Sequence, residues 1–130
     1  MSISKLDQGT YIDWAKYDPD TVTGRKPIHI GTRKVKDIAV GNFVKASDDS
    51  WNKVTANAAT SDQSVKTVVL ENGASITVAS SDSLSVGDSI TTVGGTFNII
   101  EITTLSDNST VHQLTVEGSN NFIAGTIVVG

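Results

Sequence analysis

The sequence predicts an all-β protein, and its composition and its apolar pattern both favour this class. The 130-residue chain has 15 Val and 12 Ile but only 5 Leu and one Met, together with 15 Ser and 16 Thr. β-Branched side chains lose rotamer freedom in a helix and pack well on a pleated sheet, so this ratio favours strands. No window of a dozen residues repeats apolar positions at helical spacing. The nearest candidate is the polar stretch 55–64, which we interpret as a loop or a single helical turn.

Size, charge and residue usage exclude several classes of function. A chain of 13.6 kDa can bury one hydrophobic core. A formal charge of −4 argues against general binding to nucleic acid or to an anionic membrane. The absence of cysteine excludes disulfides, thiolate metal sites and a cysteine nucleophile, and two histidines are too few for a His-only zinc site. We therefore expect no metal or cofactor, and the first residues contain no apolar run typical of a signal peptide or membrane span.

An internal repeat covers most of the chain. A shift of 46 residues aligns residues 35–78 with residues 81–124 without a gap. The match places Gly41 on Gly87 and Trp51 on Phe97, and the apolar positions between them recur. Because a packed β unit needs that apolar pattern and its turn glycine, the repeat predicts a duplicated β unit within residues 35–130.

Each repeat is expected to follow the same course. A Gly-Asn or Gly-Asp turn leads into a short strand, and an aromatic strand, a polar loop and a long alternating strand follow. Asn72-Gly73 lies between two alternating apolar runs and is the clearest hairpin signal in the sequence. The predicted strands are 42–45, 50–55 and 65–70 in the first unit and 88–93, 96–104 and 111–117 in the second, with polar loops at 57–64 and 106–110.

Residues 1–34 are predicted to form an N-terminal extended arm and a first strand. This segment contains both prolines, one tryptophan and few consecutive apolar residues. Such an arm docks on a neighbouring molecule or frays as a free terminus. Trp14 is the candidate docking anchor, whereas Trp51 is predicted to lie in the core with Phe97.

One basic cluster is present, with five of the ten Lys and Arg residues inside twelve positions. Its two interpretations are a solvated strand edge guarded against aggregation and a contact with an acidic neighbouring subunit. His29 and His112 are expected to be ordinary strand residues, with His112 half-exposed, and Asp48, Asp49 and Asp107 to be solvated turn residues. The candidate protein-interaction residues are Trp14, Arg25, Lys26, Arg33, Lys34 and Lys36.

Three segments resemble the Hint domains, the fold of inteins and hedgehog autoprocessing domains. The C-terminal stretch VHQLTVEGSNNFIAGTIVVG (111–130) is similar to a family ending in which a Val-Tyr-Asp-Leu-Thr-Val-like strand leads into His-Asn-Phe and Ala-Asn-Gly-Ile-Val-Val. VKDIAVGNFV (35–44) resembles the family's Ile-Glu-Asp-Ile-x-Val-Gly-Asp-x-Val. Residues 70–84 resemble the strand pair that ends in Thr-x-x-His-Pro-Leu. The resemblance covers about residues 35–130 and implies a duplicated β fold with pseudo-twofold symmetry, which agrees with the internal repeat.

The positions that carry chemistry in that family differ in this chain. The resemblance places Asp82 at the histidine of Thr-x-x-His, Asn120 at the histidine before Asn-Phe, and Gln113 at the aspartate before leucine. The terminal His-Asn is not present at Gly130, and no cysteine supplies a nucleophile near the start. The resemblance therefore implies a degenerate Hint scaffold that has lost its catalytic groups. The hydroxyls available near the N-terminus are Ser2, Ser4, Thr21 and Thr23.

The expected function is non-enzymatic: a structural or assembly protein that binds other protein subunits by arm exchange or edge-strand addition. The acidic, cysteine-free, Ser/Thr/Val-rich composition is similar in style to capsid-decorating or tail-associated proteins of tailed bacteriophages, so we expect a virion location, or otherwise the cytoplasm. The alternative is a self-processing Hint domain that uses a Ser or Thr nucleophile. A carbohydrate-binding module is the weakest alternative, because it needs exposed aromatic side chains.

Overall fold

Strands form nearly all of the regular structure in the computed structural model, which describes residues 3–17, 27–118 and 121–130. Within these ranges twelve strands join into one sheet, and a 3₁₀ turn at Val35–Asp37 is the single helical element. The prediction of an all-β fold is confirmed. The strands are β1 (Leu6–Asp7), β2 (Tyr11–Tyr17), β3 (Pro27–Lys34), β4 (Phe43–Lys45), β5 (Trp51–Gln63), β6 (Val65–Leu70), β7 (Ser75–Ala79), β8 (Ser89–Thr92), β9 (Gly95–Thr104), β10 (Ser109–Val116), β11 (Phe122–Ala124) and β12 (Ile127–Val129).

The sheet closes on itself and leaves β3 outside the ring. Its strand order is β11-β12-β8-β9-β6-β7-β1-β10-β5-β4-β2-β3. An additional antiparallel pairing, Ala124 with Ile12, joins β11 back to β2. In the described part of the chain β3 pairs only with β2, so its other side is a free edge.

The predicted duplication is confirmed strand by strand. At the 46-residue shift β4 corresponds to β8, β5 to β9, β6 to β10 and β7 to β11. The turn before each first strand is built alike. The Asn42 amide donates to the Ala39 carbonyl at 3.0 Å, and the Asn42 side-chain oxygen accepts from the Ala39 amide at 2.9 Å. The Asp88 amide and carboxylate make the same pair of bonds with Ser85, at 3.0 and 2.8 Å.

The two units exchange their long strands. β5 of the first unit pairs with β10 of the second, and β6 of the first pairs with β9 of the second, both antiparallel. Each ladder has a register shift at an equivalent place, between Val69 and Leu70 in one and between Thr115 and Val116 in the other. Because the main ladders run between units, each unit needs the other to complete its sheet.

A single large apolar cluster fills the interior and draws on every part of the chain. Leu6, Ile12, Val44, Leu70 and Ile99 are each at most 1% exposed within it. Burying side chains of this size stabilises the fold by about 1.5–3 kcal/mol each. The segment before position 35 therefore contributes to the same core as the two repeats, through Ile3, Leu6, Ile12 and Trp14.

The prediction of an N-terminal arm is corrected by the structure. The described residues before position 35 form three strands of the chain's own sheet. Leu6 pairs with His112 on one side and with Val78 on the other. Ile3 and Leu6 are 2% and 0% exposed. The apolar residues of this segment alternate with polar ones, so a continuous apolar run was never needed to bury it.

The predicted polar loop at 57–64 is also corrected, since β5 continues as a strand to Gln63. Its outer half pairs with β10, for example His112 with Ala59 and Ser109 with Gln63. These backbone bonds hold a strand whose side chains are mostly solvent-exposed. Trp51 differs from the prediction as well, because it is half-buried at the end of the β4–β5 hairpin rather than in the core.

Candidate functional site

The free edge of β3 and the face beside it form the first candidate site. Tyr11 and Ile30 are 55% and 65% exposed, so both present apolar surface to solvent on the β2–β3 hairpin. The register places Tyr11 opposite Lys34 and Ile30 opposite Ala15, so the two exposed side chains share one face of the hairpin. We call the surface formed by Tyr11, Ile30, Arg33, Lys34 and Lys36 the basic edge.

The cations of the basic edge contact aromatic rings of β2. The Arg33 guanidinium carbon lies 4.1 Å from the centroid of the Trp14 ring, and the Lys34 ammonium lies 5.9 Å from the centroid of Tyr11. Both distances allow cation–π attraction. Trp14 itself is 5% exposed and belongs to the core. Its predicted role as an exposed docking anchor is therefore corrected: Trp14 supports the basic edge from beneath.

The basic edge has no acidic partner within the described ranges. The single ion pair there is Lys45 with Asp49, at 3.5 Å. Arg33 and Lys36 are exposed, and Lys34 is half-buried. Arg25 and Lys26, the two other predicted interaction residues, lie outside the described residues.

The second candidate site is the place where the two ends of the chain meet. The Gly130 amide donates to the Ile3 carbonyl at 3.1 Å. Beside this contact the Asp82 carboxylate accepts from the amides of Ser4 and Lys5, both at 3.1 Å, and from the Ser4 hydroxyl at 3.0 Å. One buried carboxylate thus holds the beginning of the chain against the β7–β8 connection, and we call this group the end junction.

Lys66 supports the end junction from the neighbouring strand. Its ammonium donates to the Asp82 carbonyl at 2.5 Å and to the Ser80 carbonyl at 3.2 Å. Lys66 and Asp82 are each 8% exposed. Since charges are costly to bury unless they are compensated, the ammonium stabilises the turn that presents the carboxylate.

A small cavity opens beside the end junction. It measures about 180 Å³ and is bounded by Ser4 and Gly130, with Gln113 and Thr115 on β10. The sequence singled out Ser4, Asp82, Gln113 and Gly130 separately, and the fold brings them to this one region. Ser2, Thr21, Thr23 and Asn120 lie outside the described residues.

His112 corrects a further expectation, because it is only 8% exposed. Its Nδ1 lies 2.8 Å from the side-chain oxygen of Asn57. The Asn57 amide nitrogen donates to the carbonyls of Val35 and Ile38, at 3.0 and 2.7 Å, which fixes its oxygen toward the ring. The ring therefore donates from Nδ1, and the pair ties β5 and β10 to the 3₁₀ turn.

Burial lowers the pKa of His112 below its ordinary value of 6.5, with Asp37 and Asp7 acting in the opposite direction. The His29 side chain lies outside the described part of the structure, although its backbone belongs to β3 as expected.

Comparison with known proteins gives the fold. No protein-family model matches the sequence, and no curated protein matches it either. Among solved structures, the gp41-1 intein superposes with a TM-score of 0.72 at 19% identity, over 95% of each chain. The VidaL intein gives 0.76 at 12% identity, over 96% of this chain and 94% of that one.

The chain has the intein fold. An intein-like domain from Clostridium thermocellum matches as well, with a TM-score of 0.65 at 16% identity over 98% of this chain and 99% of that one. At these identities the likeness establishes the Hint-like architecture, which agrees with the resemblance noted in the sequence.

The chemistry open to the end junction follows from its donors and acceptors. All three side-chain bonds at Asp82 are donated to it, so both carboxylate oxygens act as acceptors. The arrangement therefore restrains residues 4 and 5.

Two other kinds of feature are absent from the described residues. No group of three or more His, Asp or Glu side chains there is placed to hold a metal ion. No described helix is long and apolar enough to cross a membrane.

Proposed function

We propose that this protein is a non-enzymatic assembly module that binds another protein subunit through its basic edge. The observation that carries the proposal is that three features occur together on the β2–β3 hairpin. A strand edge is free, two large apolar side chains are exposed, and three cations lack a carboxylate partner in the described part of the chain. Exposed apolar groups rimmed by charge are typical of protein-binding surfaces.

The end junction favours a scaffold without autoprocessing activity. Asp82 stands where the family resemblance expects a proton-donating histidine, and its contacts immobilise the start of the chain. We place the module in a virion, as a decorating or tail-associated subunit. That setting rests on the composition of the chain, and fold alone does not establish it.

The proposal is tested by comparative pull-down from the source in which the protein is expressed. The bait is the full chain, and the decisive variant is Lys34→Glu combined with Lys36→Glu. Lys53→Glu is the matched control, because Lys53 is an exposed lysine on β5, away from the basic edge. A partner recovered in stoichiometric amount with the wild type and the control, but lost with the double variant, supports the proposal. Equal recovery with all three baits would contradict it.

A second function, self-cleavage at the Ile3–Ser4 bond, is favoured by one specific observation. The Ser4 hydroxyl and the Ser4 amide both contact Asp82, and the Ile3 carbonyl accepts from Gly130. In this reaction the Ser4 oxygen attacks the Ile3 carbonyl carbon while Asp82 takes the hydroxyl proton. The carbon–nitrogen bond then breaks as Asp82 returns that proton to the departing Ser4 nitrogen, which becomes a free amine, and water hydrolyses the resulting ester.

Intact-mass measurement separates the two functions. The chain is expressed with an unrelated domain fused to each end, and its mass is followed for a day beside that of the Ser4→Ala variant. Loss of the N-terminal flank in the wild type but not in Ser4→Ala would establish self-cleavage and overturn the non-enzymatic proposal. A single unchanged mass for both proteins is the expected result.

A further inference from the structure

We infer that the partner binds by adding an extended, acidic segment as a new strand along β3. This inference rests on the proposed function and deepens it, because it names both the binding mode and the chemistry of the partner. Its starting point is the backbone of β3, whose outer side is unpaired within residues 3–17, 27–118 and 121–130.

The outward backbone groups of β3 can be assigned from its pairing with β2. The Val35 amide donates to the Thr10 carbonyl at 2.7 Å, in the same register that pairs Arg33 with Ile12. In an antiparallel ladder alternate residues bond to the same neighbour, so Arg33 and Gly31 bond inward. The amides and carbonyls of Ile30 and Thr32 therefore point away from β2, toward an incoming strand.

Nothing in the described chain obstructs that approach. Ile30, Gly31 and Thr32 are all exposed, and among the described residues β3 has a neighbouring strand on one side only. Open space beside a strand edge is what a second backbone needs in order to lie at the usual spacing of about 4.8 Å. The position can thus accept main-chain hydrogen bonds without rearrangement of the sheet.

The positive charge of the basic edge indicates which kind of segment would pair with β3. Arg33, Lys34 and Lys36 cluster at the C-terminal end of β3 and at the turn after it, and they have no carboxylate partner among the described residues. Opposite charges on paired strands are favourable, and like charges oppose pairing. A second copy of this chain adding through its own β3 would bring the same cations, so an acidic segment from another protein is the better match.

Side-chain alternation defines the segment further. Ile30, Thr32 and Lys34 share the outer face of β3. A matching strand therefore presents apolar or β-branched side chains near Ile30 and carboxylates near Lys34. Strand addition of this kind takes its affinity from main-chain bonds and its specificity from alternate side chains.

The test uses a fluorescent synthetic peptide, Glu-Thr-Glu-Glu-Thr-Thr-Val-Thr, which in antiparallel pairing places a glutamate opposite Lys34, a threonine opposite Thr32 and a valine opposite Ile30. Two analogues have alternate amides N-methylated in opposite phases. Strand addition predicts that one phase loses binding by about tenfold or more, because its donors face β3, while the other phase stays within about threefold. Equal affinity of both analogues, or no binding of the parent peptide, would overturn the inference. These measurements leave the protein unchanged, so they do not depend on whether a variant folds.

Variants of the protein provide a second test of strand addition. Thr32→Pro removes the outward amide and is tolerated on an edge, whereas Thr32→Val keeps that amide. We expect about tenfold weaker peptide binding for the first and a change under about twofold for the second. On peptide binding, hydrogen exchange should slow at the amides of Ile30 and Thr32 and remain unchanged at Gly31 and Arg33, which already bond to β2. Unaltered exchange at Ile30 and Thr32 would contradict strand addition.

Failure of the inference and failure of the proposed function give different results. If Lys34→Glu with Lys36→Glu loses the pull-down partner while Thr32→Pro retains it, the basic edge binds protein but not by strand addition. If neither change affects recovery, the proposed function itself fails.

Discussion

Asp82 connects two parts of the sequence that are 78 residues apart, and its carboxylate receives three hydrogen bonds from Ser4 and Lys5. A buried acceptor that satisfies backbone donors leaves them without partners when it is altered. The restraint is reinforced by Lys66, which fixes the turn that carries the carboxylate. At the scale of single residues, this junction fixes the position of residues 4 and 5 against the β7–β8 connection.

We predict that Asp82→Asn destabilises the protein by about 1–3 kcal/mol, because one amide oxygen replaces two charged acceptors. Urea denaturation measures the free energy of unfolding. The matched control is Asp107→Asn in an exposed loop, for which we expect a change within about 0.5 kcal/mol. Equal effects of the two substitutions would show that the end junction contributes no stability.

The lowered pKa of His112 predicts how the free energy of unfolding varies with pH. Its pKa is lowered in the folded state, so between that folded value and 6.5 the unfolded chain binds more protons than the folded chain. The free energy of unfolding should therefore fall as the pH drops below about 6.5 and stop falling on this account below the folded pKa. Denaturation of the wild type and of His112→Gln at pH 7.5 and 5.5 isolates the effect, with His29→Gln as control. A wild-type difference no larger than that of His112→Gln would contradict the prediction.

The identity of several junction residues was predictable from the sequence, whereas their contacts were not. The family resemblance placed Asp82 at a catalytic position, and Ser4 was one of several candidate hydroxyls. No local signal links residues separated by most of the chain, because such a contact depends on the closed sheet. Trp14 shows the same limit: a tryptophan in a polar segment indicates importance but not whether it faces a partner or the core.

At the scale of secondary-structure elements, β1 is short but central. Its two residues, Leu6 and Asp7, lie between β7 and β10, and Leu6 is fully buried. A strand of this length has little intrinsic stability, so tertiary packing holds it in place. An arm that merely docked on a neighbouring molecule would not be buried in this way within one chain.

We predict that Leu6→Ala lowers the free energy of unfolding by about 2–5 kcal/mol, as is usual for a fully buried leucine. Leu105, which is 41% exposed, supplies the control Leu105→Ala, with an expected loss under about 1 kcal/mol. Thermal and urea unfolding of the isolated protein measure both. If the two variants were equally stable, residues 3–17 would behave as the free arm that the sequence first suggested.

Strands whose ends are marked by turn-forming residues were predicted correctly. Strand segments that are defined only by their backbone pairing were missed. The Asn72-Gly73 hairpin and strand β6 (Val65–Leu70) appear as expected. The outer half of β5 was missed, because its side chains are polar and solvated and only its ladder with β10 makes it a strand. The spacing of apolar residues in a sequence indicates which side chains are buried. A strand whose side chains are mostly exposed therefore lacks the pattern by which it could be predicted.

At the scale of the whole molecule, the duplicated unit was predictable because its apolar pattern recurs at a constant shift. The exchange of long strands between the units was not, since pairing partners leave no mark in a single sequence. The basic cluster was visible as a run of charge, but its place on a free edge depends on the closure of the ring between β11 and β2.

Because the backbones of Ile3 and Gly130 lie next to each other, we predict that the fold tolerates circular permutation. A short linker would join Gly130 to Ile3, whose backbones are hydrogen-bonded at 3.1 Å, and new ends would open in the exposed turn between Asn72 and Gly73. We expect cooperative unfolding with a Tm within several degrees of the wild type, measured by circular dichroism. A control opened between Val68 and Val69, inside β6, should not fold. Loss of folding in the first permutant would contradict the importance of the end contact.

The pairing of β1 with β10 also has a consequence for synthesis on the ribosome. The first strand ends at Asp7 and β10 begins at Ser109, so all the strands between them must be synthesised before the two can meet. At translation rates of about 5–20 residues per second, Leu6 waits about 5–20 s for its partner on β10, whereas its other neighbour, β7, emerges earlier. During that time the nascent chain depends on solubility rather than structure. Its sparse, alternating apolar residues and abundant Ser and Thr suit a polypeptide that folds only when its last strands emerge.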